Sequence, residues 1–194
     1  MTAPAGPSGS AYPAAGGSAY PAAGGSAQAN PRGEALVREL RWVHVMIRSD
    51  LAAIRQMAAD AAAGRPAGAL REAVRSLAMA SPVWQLKVSC LQHCRFVHSH
   101  HTHESIALFP ALRQANPALN PVVDKLEADH QHVSDLLDEV EEAARGLGEA
   151  AGDEARQRLA AALDTLSADL LAHLDYEEQH IADTLRSWTR WPGW

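Results

Sequence analysis

Two pairs of residues share a spacing that suits metal chemistry: His100 with Glu104 and His173 with Glu177, each a His-x-x-x-Glu. Four residues advance a helix by a little more than one turn. The side chains of each pair therefore leave one face about 6 Å apart, and one cation can take both. A glutamate so placed can also reach past that cation to a second, which is how carboxylates tie dinuclear centres together inside helical bundles. Two further stretches each offer one inward histidine. His44 lies within the apolar row Leu40, Val43, Ile47 and Leu51, and His130 lies between Leu126 and Val133 on a row continuing to Leu137. A lone histidine on an apolar row is as a rule a hydrogen-bonded core residue. Four stretches each supplying one, with two glutamates at matched offsets, change that weighting. Two buried, unpaired carboxylates would cost several kcal/mol apiece, and cations remove the cost.

The elements that must position these groups are helices. From Glu34 the chain is rich in Ala, Leu, Arg and Glu, with apolar residues recurring at three and four spacings and no strand pattern between them. The first helix is expected from about Glu34 to Ala63, stopping at Gly64-Arg65-Pro66, and a short one follows from about Ala69 to Ala80. Ser81-Pro82 is a start signal for a second long helix to about Gln114, in which Pro110 should cause a kink or an early end. Asn120-Pro121 starts a third helix ending near Gly146-Leu147-Gly148, and a fourth runs from near Asp153 to about Trp188. The expected fold is all-α: an antiparallel up-down four-helix bundle with a short extra helix between the first two long ones. Residues 1–33 carry no charge before Arg32 and contain the octapeptide Ser-Ala-Tyr-Pro-Ala-Ala-Gly-Gly twice, at Ser10 to Gly17 and Ser18 to Gly25. They read as a disordered spacer arm. Residues 34–190 form the bundle, and 191–194 a tryptophan-rich tail.

Composition narrows the function classes. The chain has 194 residues and a formal charge of −6, which argues against a nucleic-acid footprint. No apolar run is long enough for a membrane span, and the N-terminal stretch lacks the basic start and apolar core of a signal peptide. Cys90 and Cys94, four apart in one helix, make no disulfide scaffold and fit a reducing cytoplasm. Ten histidines are present: nine lie between His93 and His180, and the tenth is His44.

These motifs resemble the hemerythrin family, specifically its HHE cation-binding domains. The resemblance spans about residues 36 to 190. It rests on His44 in Trp-Val-His-Val-Met-Ile-Arg, His100 and Glu104 in His-His-Thr-His-Glu-Ser-Ile-Ala-Leu-Phe-Pro, His130 in Leu-Glu-Ala-Asp-His, and His173 and Glu177 in His-Leu-Asp-Tyr-Glu-Glu. It implies a bundle enclosing two non-haem iron ions, an oxo- or hydroxo-bridged di-iron centre held by His44, His100, His130 and His173 and bridged by Glu104 and Glu177. It further implies a cytoplasmic protein that binds or reacts with dioxygen, nitric oxide or peroxide in sensing, detoxification or iron handling. One position departs from the oxygen carriers of the family: where they have a second histidine, four residues before the one matching His130, this chain has Leu126. One iron position is left short of a ligand, which favours reactivity over reversible carriage.

Spare residues could fill that gap. His93 and His180, each seven residues from a ligand histidine, return to nearly the same face, whereas His98, His101, His103 and His132 are expected to point away from the centre. Glu178, Glu127 and Asp129 are candidates to orient ligating imidazoles, the latter two beside His130. Tyr176 and the cysteines are read as packing residues, and the tail tryptophans as a cover over one end of the bundle. A ferritin-like reading rests on Glu127-x-x-His130 and Glu177-x-x-His180. Two functional alternatives stay open: a di-iron oxygenase or peroxidase acting on a small organic substrate, and a metal-binding or zinc structural scaffold.

Overall fold

The structure, a computed structural model, describes residues 30–64, 82–148 and 152–192. Among the described residues there are four long rods and no strand. The N-terminal arm up to residue 29 and the short helix expected at Ala69 to Ala80 lie outside them.

Helix α1 spans Pro31–Ala62, beginning three residues earlier than the pattern alone indicates. Asn30 sets the start. Its Oδ1 accepts from Arg32 N at 3.2 Å, and Pro31 takes the first helical position, where its missing N–H costs nothing. The Asn30 amide also donates to the carbonyls of Arg186 and Trp188 at 3.0 and 2.7 Å, tying the beginning of the first rod to the end of the last. Gly33 makes that approach possible, since a Cβ there would lie 2.0 Å from the Arg186 carbonyl oxygen.

The second rod is composite: α2 (Pro82–His103), a π-helical turn over Glu104–Leu108, and α3 (Phe109–Ala115). Pro110 neither ends the rod nor stops it early. The Phe109 N–H reaches back five residues to the Glu104 carbonyl, and the proline falls in the first turn of the next α segment. The ladder is thus re-phased just where proline would have broken it. Helix α4 (Asn120–Arg145) follows a short 3₁₀ turn over Pro117–Leu119, and α5 runs over Asp153–Ser187.

Each long rod packs on two neighbours, in the ring α1, α2, α4, α5. Two apolar layers fill the interior. One contains Ile47, Leu51, Val97, Val133 and Leu170, the other Leu40, Leu108, Leu126 and Ile181. Along α1 the chain passes from the second layer to the first, along the composite rod from first to second, along α4 back again, and along α5 once more from first to second. That alternation is the up-down topology. Between the layers every rod crosses one polar level: His44; His100, His101 and Glu104; His130; His173 and Glu177. Each fully buried Leu or Ile of the layers contributes about 1.5–3 kcal/mol, enough to carry a polar stratum.

Candidate metal centre

At that level the described residues contain two groups whose potential ligand atoms all lie within 4.8 Å of one another: His44, His100, Glu104 and Glu177, and beside them His101, Glu104, His130 and His173. Glu104 belongs to both. The six residues singled out by spacing all enter these groups, and both carboxylates are buried, Glu104 at 5% and Glu177 at 0% exposure.

The hydrogen bonding is what a cation centre requires. Buried polar groups are paired in nearly every native interior. Here thirteen buried side-chain polar atoms lack a partner among the described residues, and all but Arg156 Nε and the two nitrogens of His93 belong to the seven cluster residues. Both oxygens of Glu104 and of Glu177, and Nε2 of His44, His100, His101, His130 and His173, are among them. The contacts between them are 3.3 Å from His44 Nε2 to Glu177, 3.2 Å from His100 Nε2 to Glu104, and 3.5 Å from His130 Nε2 to Glu104. None has hydrogen-bond geometry. Two ligands ~2.1 Å from one ion and at right angles stand about 3 Å apart, so these separations suit a shared cation better than a proton.

Electrostatics agree. Burial lowers the His100 imidazole to about 3 and His130 to about 4, and it pushes His101 and His173 down as well, so the rings are neutral with lone pairs available. Burial, then the charge of Glu177, drives the Glu104 carboxyl well above its ordinary range. A pair of cations would reverse that second effect.

Partners behind the ligands fix ring orientation. His44 Nδ1 donates to Glu178 Oε1 at 2.9 Å, and the same oxygen accepts from Arg48 at 2.8 Å. Burial opposes ionisation of Glu178, but the bonds from Arg48 and His44 outweigh it and hold the carboxyl below its ordinary value. A carboxylate fixing the far nitrogen of a histidine sets its tautomer and raises its basicity. Asp129, expected beside His130, instead faces His173 Nδ1 at 3.7 Å and is paired with Lys125, while His130 Nδ1 meets Ser105 Oγ at 2.9 Å. Adjacent helical positions diverge by about 100°, so a neighbour in sequence to His130 is turned toward another rod.

The structure corrects one expectation outright. His101 does not point away: it is 6% exposed, its ring stacks on His130 at 4.0 Å, and it meets His173 edge-on at 5.0 Å. The buried row of this rod is Cys90, Cys94, Val97, His101, Glu104 and Leu108, a regular three-four alternation in which His101 sits nearer the centre than His100. That row was available in the sequence.

The other candidates fall elsewhere. His180 Nδ1 donates to the Tyr176 carbonyl, 2.7 Å away, and His93 is buried apart from both groups. His103 bonds the Ser99 carbonyl, while His98 and His132 pair with Asp138 and Asp169. Glu127 is exposed and bonded to Arg113, which, with His180 outside the groups, removes both halves of the ferritin-like pattern. The Cys90 and Cys94 thiols are buried and free, and burial raises each to about 12, so they are packing groups rather than thiolates. Tyr176 packs in the second apolar layer with Trp188 and Trp191. No helix among the described residues is long and apolar enough to cross a membrane.

Comparison with known proteins agrees with this geometry. Searches of curated proteins and of solved structures returned no match. A family model, the hemerythrin HHE cation binding domain, matches residues 36–185, which takes in all four rods and every residue of the two groups. With a hemerythrin-like bundle and paired histidine-glutamate clusters consistent with a di-iron centre, the chain belongs to the hemerythrin HHE cation-binding domain family.

Proposed function

We propose that the protein holds two iron ions in these adjoining positions and offers one of them to a small exogenous ligand such as dioxygen, nitric oxide or peroxide. In this reading His44 and His100 serve one position, and His130 and His173 the other. Glu104 would be shared by both, Glu177 would join His44 and His100 at the first, and His101 would complete the second position from a different rod than the one carrying Leu126. The observation that carries the reading is that Glu104 is common to both groups, each of which is otherwise complete in itself.

The two positions are unequal. One has two imidazoles and two carboxylates, a donor set close to the two-histidine, one-carboxylate facial arrangement that leaves iron positions open. The other has three imidazoles and a carboxylate, closed in by Phe109, whose ring lies 4.9 Å from that of His130, and by buried Leu126. Iron bound there supplies a redox-active Lewis acid. The chain contributes imidazole nitrogens, two carboxylates whose charge the ions would balance, and apolar layers above and below the polar level.

Elemental analysis of protein loaded anaerobically with iron(II) tests the reading. It expects two irons per chain and a visible ligand-to-iron charge-transfer band, developing in air, that shifts on adding nitric oxide or peroxide. His100→Ala should abolish uptake and Glu127→Gln leave it unchanged. Zinc alone in the native protein, or iron uptake indifferent to His100→Ala, would overturn it.

A further inference from the structure

One cavity reaches the polar level from outside. It has a volume of about 590 Å³ and lies between α1, the π turn of the second rod and the C-terminal tail, with His100 and Glu104 at its inner end. Its walls are Leu40, Val43, Ala107 and Leu108, with Trp42 and Trp191 at the rim. His100 is the most accessible of the ligand side chains, at 11% against 0% for His44 and Glu177 and 7% for His130. Of the ligand imidazoles, the cavity is lined by His100 of the two-imidazole position and by none of the three at the other.

The polar groups around it are nearly all engaged. Glu39 Oε2 accepts from Trp191 Nε1 at 2.6 Å, a bond that also holds the tail in place as one wall. His103 has its Nδ1 at 2.6 Å from the Ser99 carbonyl. What remains directed inward is the unpartnered pair His100 Nε2 and Glu104, the latter 5% exposed. Among the described residues no Lys or Arg side chain lines the space, so an anionic ligand finds no counter-charge there, and Glu39 at the wall opposes one. A concave, mainly apolar space of this size with a few convergent polar groups at its base is the form taken by small-molecule sites.

We propose that this cavity binds an uncharged, predominantly apolar organic molecule, seated beside the metal position of His44 and His100. Its occupancy is a property of the walls alone. Its nearness to iron rests on the di-iron reading above, and the test separates the two.

The probe is N-phenyl-1-naphthylamine, an uncharged fluorophore, compared with 1-anilinonaphthalene-8-sulfonate, the same skeleton carrying an anionic group. Titrations use the full chain, both chelator-treated and iron-loaded. The neutral probe should bind one per chain in both forms and quench tryptophan emission, because Trp42 and Trp191 border the space. The anionic probe should bind at least tenfold more weakly. Ala107→Trp, which fills the cavity from the π turn, should weaken the neutral probe at least tenfold while leaving iron content intact; Ala107→Leu makes the same comparison should the larger residue prevent folding. In the iron-loaded form the bound probe's emission should fall further, reporting proximity.

Equal binding of the two probes, or neutral-probe binding unaffected by both Ala107 variants, would overturn the proposal. So would binding that appears only after removal of Gly193 and Trp194, since the chain's own end would then be the occupant. Two irons per chain with no probe binding would refute the cavity alone, whereas probe binding abolished by Ala107→Trp in a chain that takes up no iron would refute the metal reading alone.

Discussion

Glu104→Gln should stabilise the metal-free protein and cripple the loaded one. The carboxyl lies in both ligand groups, is buried, and has its proton affinity raised by burial and then by Glu177. A group whose folded value is raised contributes its full stability below the unfolded value and loses it as pH rises toward the folded one. The ordinary value is 4.5. At pH 7 the loss is bounded by the distance from 4.5 to 7, since the carboxyl takes up a proton rather than bear more, and at about 1.4 kcal/mol per pH unit this is at most about 3.5 kcal/mol. Glutamine keeps the shape without that liability. Its amide can donate to His100 Nε2 or His130 Nε2, which stand 3.2 and 3.5 Å from the present oxygens. For a domain of this size each kcal/mol moves the melting temperature roughly 2–4 °C, so the chelator-treated variant should melt up to roughly 14 °C above the parent at pH 7. With iron the order should invert. Ligand binding to the native state adds about 2.7 kcal/mol at a hundred times Kd, and the variant has lost the bridge on which both ions depend. Circular-dichroism melts in chelator and under anaerobic iron(II), at pH 5 and pH 7, measure all four values. An unchanged order in the two media, or a chelated-state difference that does not widen from pH 5 to pH 7, would refute the reasoning.

Three further outcomes are expected. His101→Leu should lower iron content from two per chain toward one with little change in helicity, measured by elemental analysis and circular dichroism; full retention of both ions would show that the His101 ring only packs. Glu178→Gln weakens the support of His44 Nδ1 and should reduce iron affinity by roughly 10–100-fold in competition with a chromophoric chelator, at unchanged fold. In the metal-free protein, the imidazoles lowered by burial contribute stability that is complete above their unfolded value of 6.5 and lost as pH falls toward their folded values, about 4 for His130. Stability in chelator should therefore fall between pH 6.5 and 4, by on the order of 3 kcal/mol for His130, read as a falling melting temperature, and His130→Asn should flatten that slope.

Much of the metal level could be read from spacing, because a helix maps sequence offset onto direction without help from distant residues. His44, His130 and the two His-x-x-x-Glu pairs came out of periodicity and neighbouring apolar rows, and they converge. His101 did not, although the row from Cys90 to Leu108 contains it. A helix phase centred on His100 lies some tens of degrees from the true centre, which falls nearer buried His101, with His100 at the margin of the buried arc. The partners behind the ligands were only half legible. Glu178 follows Glu177 and turns toward His44, yet whether Asp129 meets His130 or His173 depends on how α4 and α5 are rotated against each other, a relation between rods that no local offset encodes. The cavity beside His100 was the least accessible, since it arises where a tail residue, Trp191, bonds to Glu39 on the first rod, 152 positions away.

The π turn at Glu104–Leu108 carries one residue more than a regular helical turn would need, and Ile106 within it is 74% exposed. Earlier in this rod, shortening the chain by one would swing the following part by about 100° and throw Phe109 and Leu112 out of their layer. Here a deletion at Ile106 would convert the wide turn to an ordinary one and leave both halves facing as they do now. The rod thus contains a built-in tolerance for a change of length, placed at the residue on which both clusters depend.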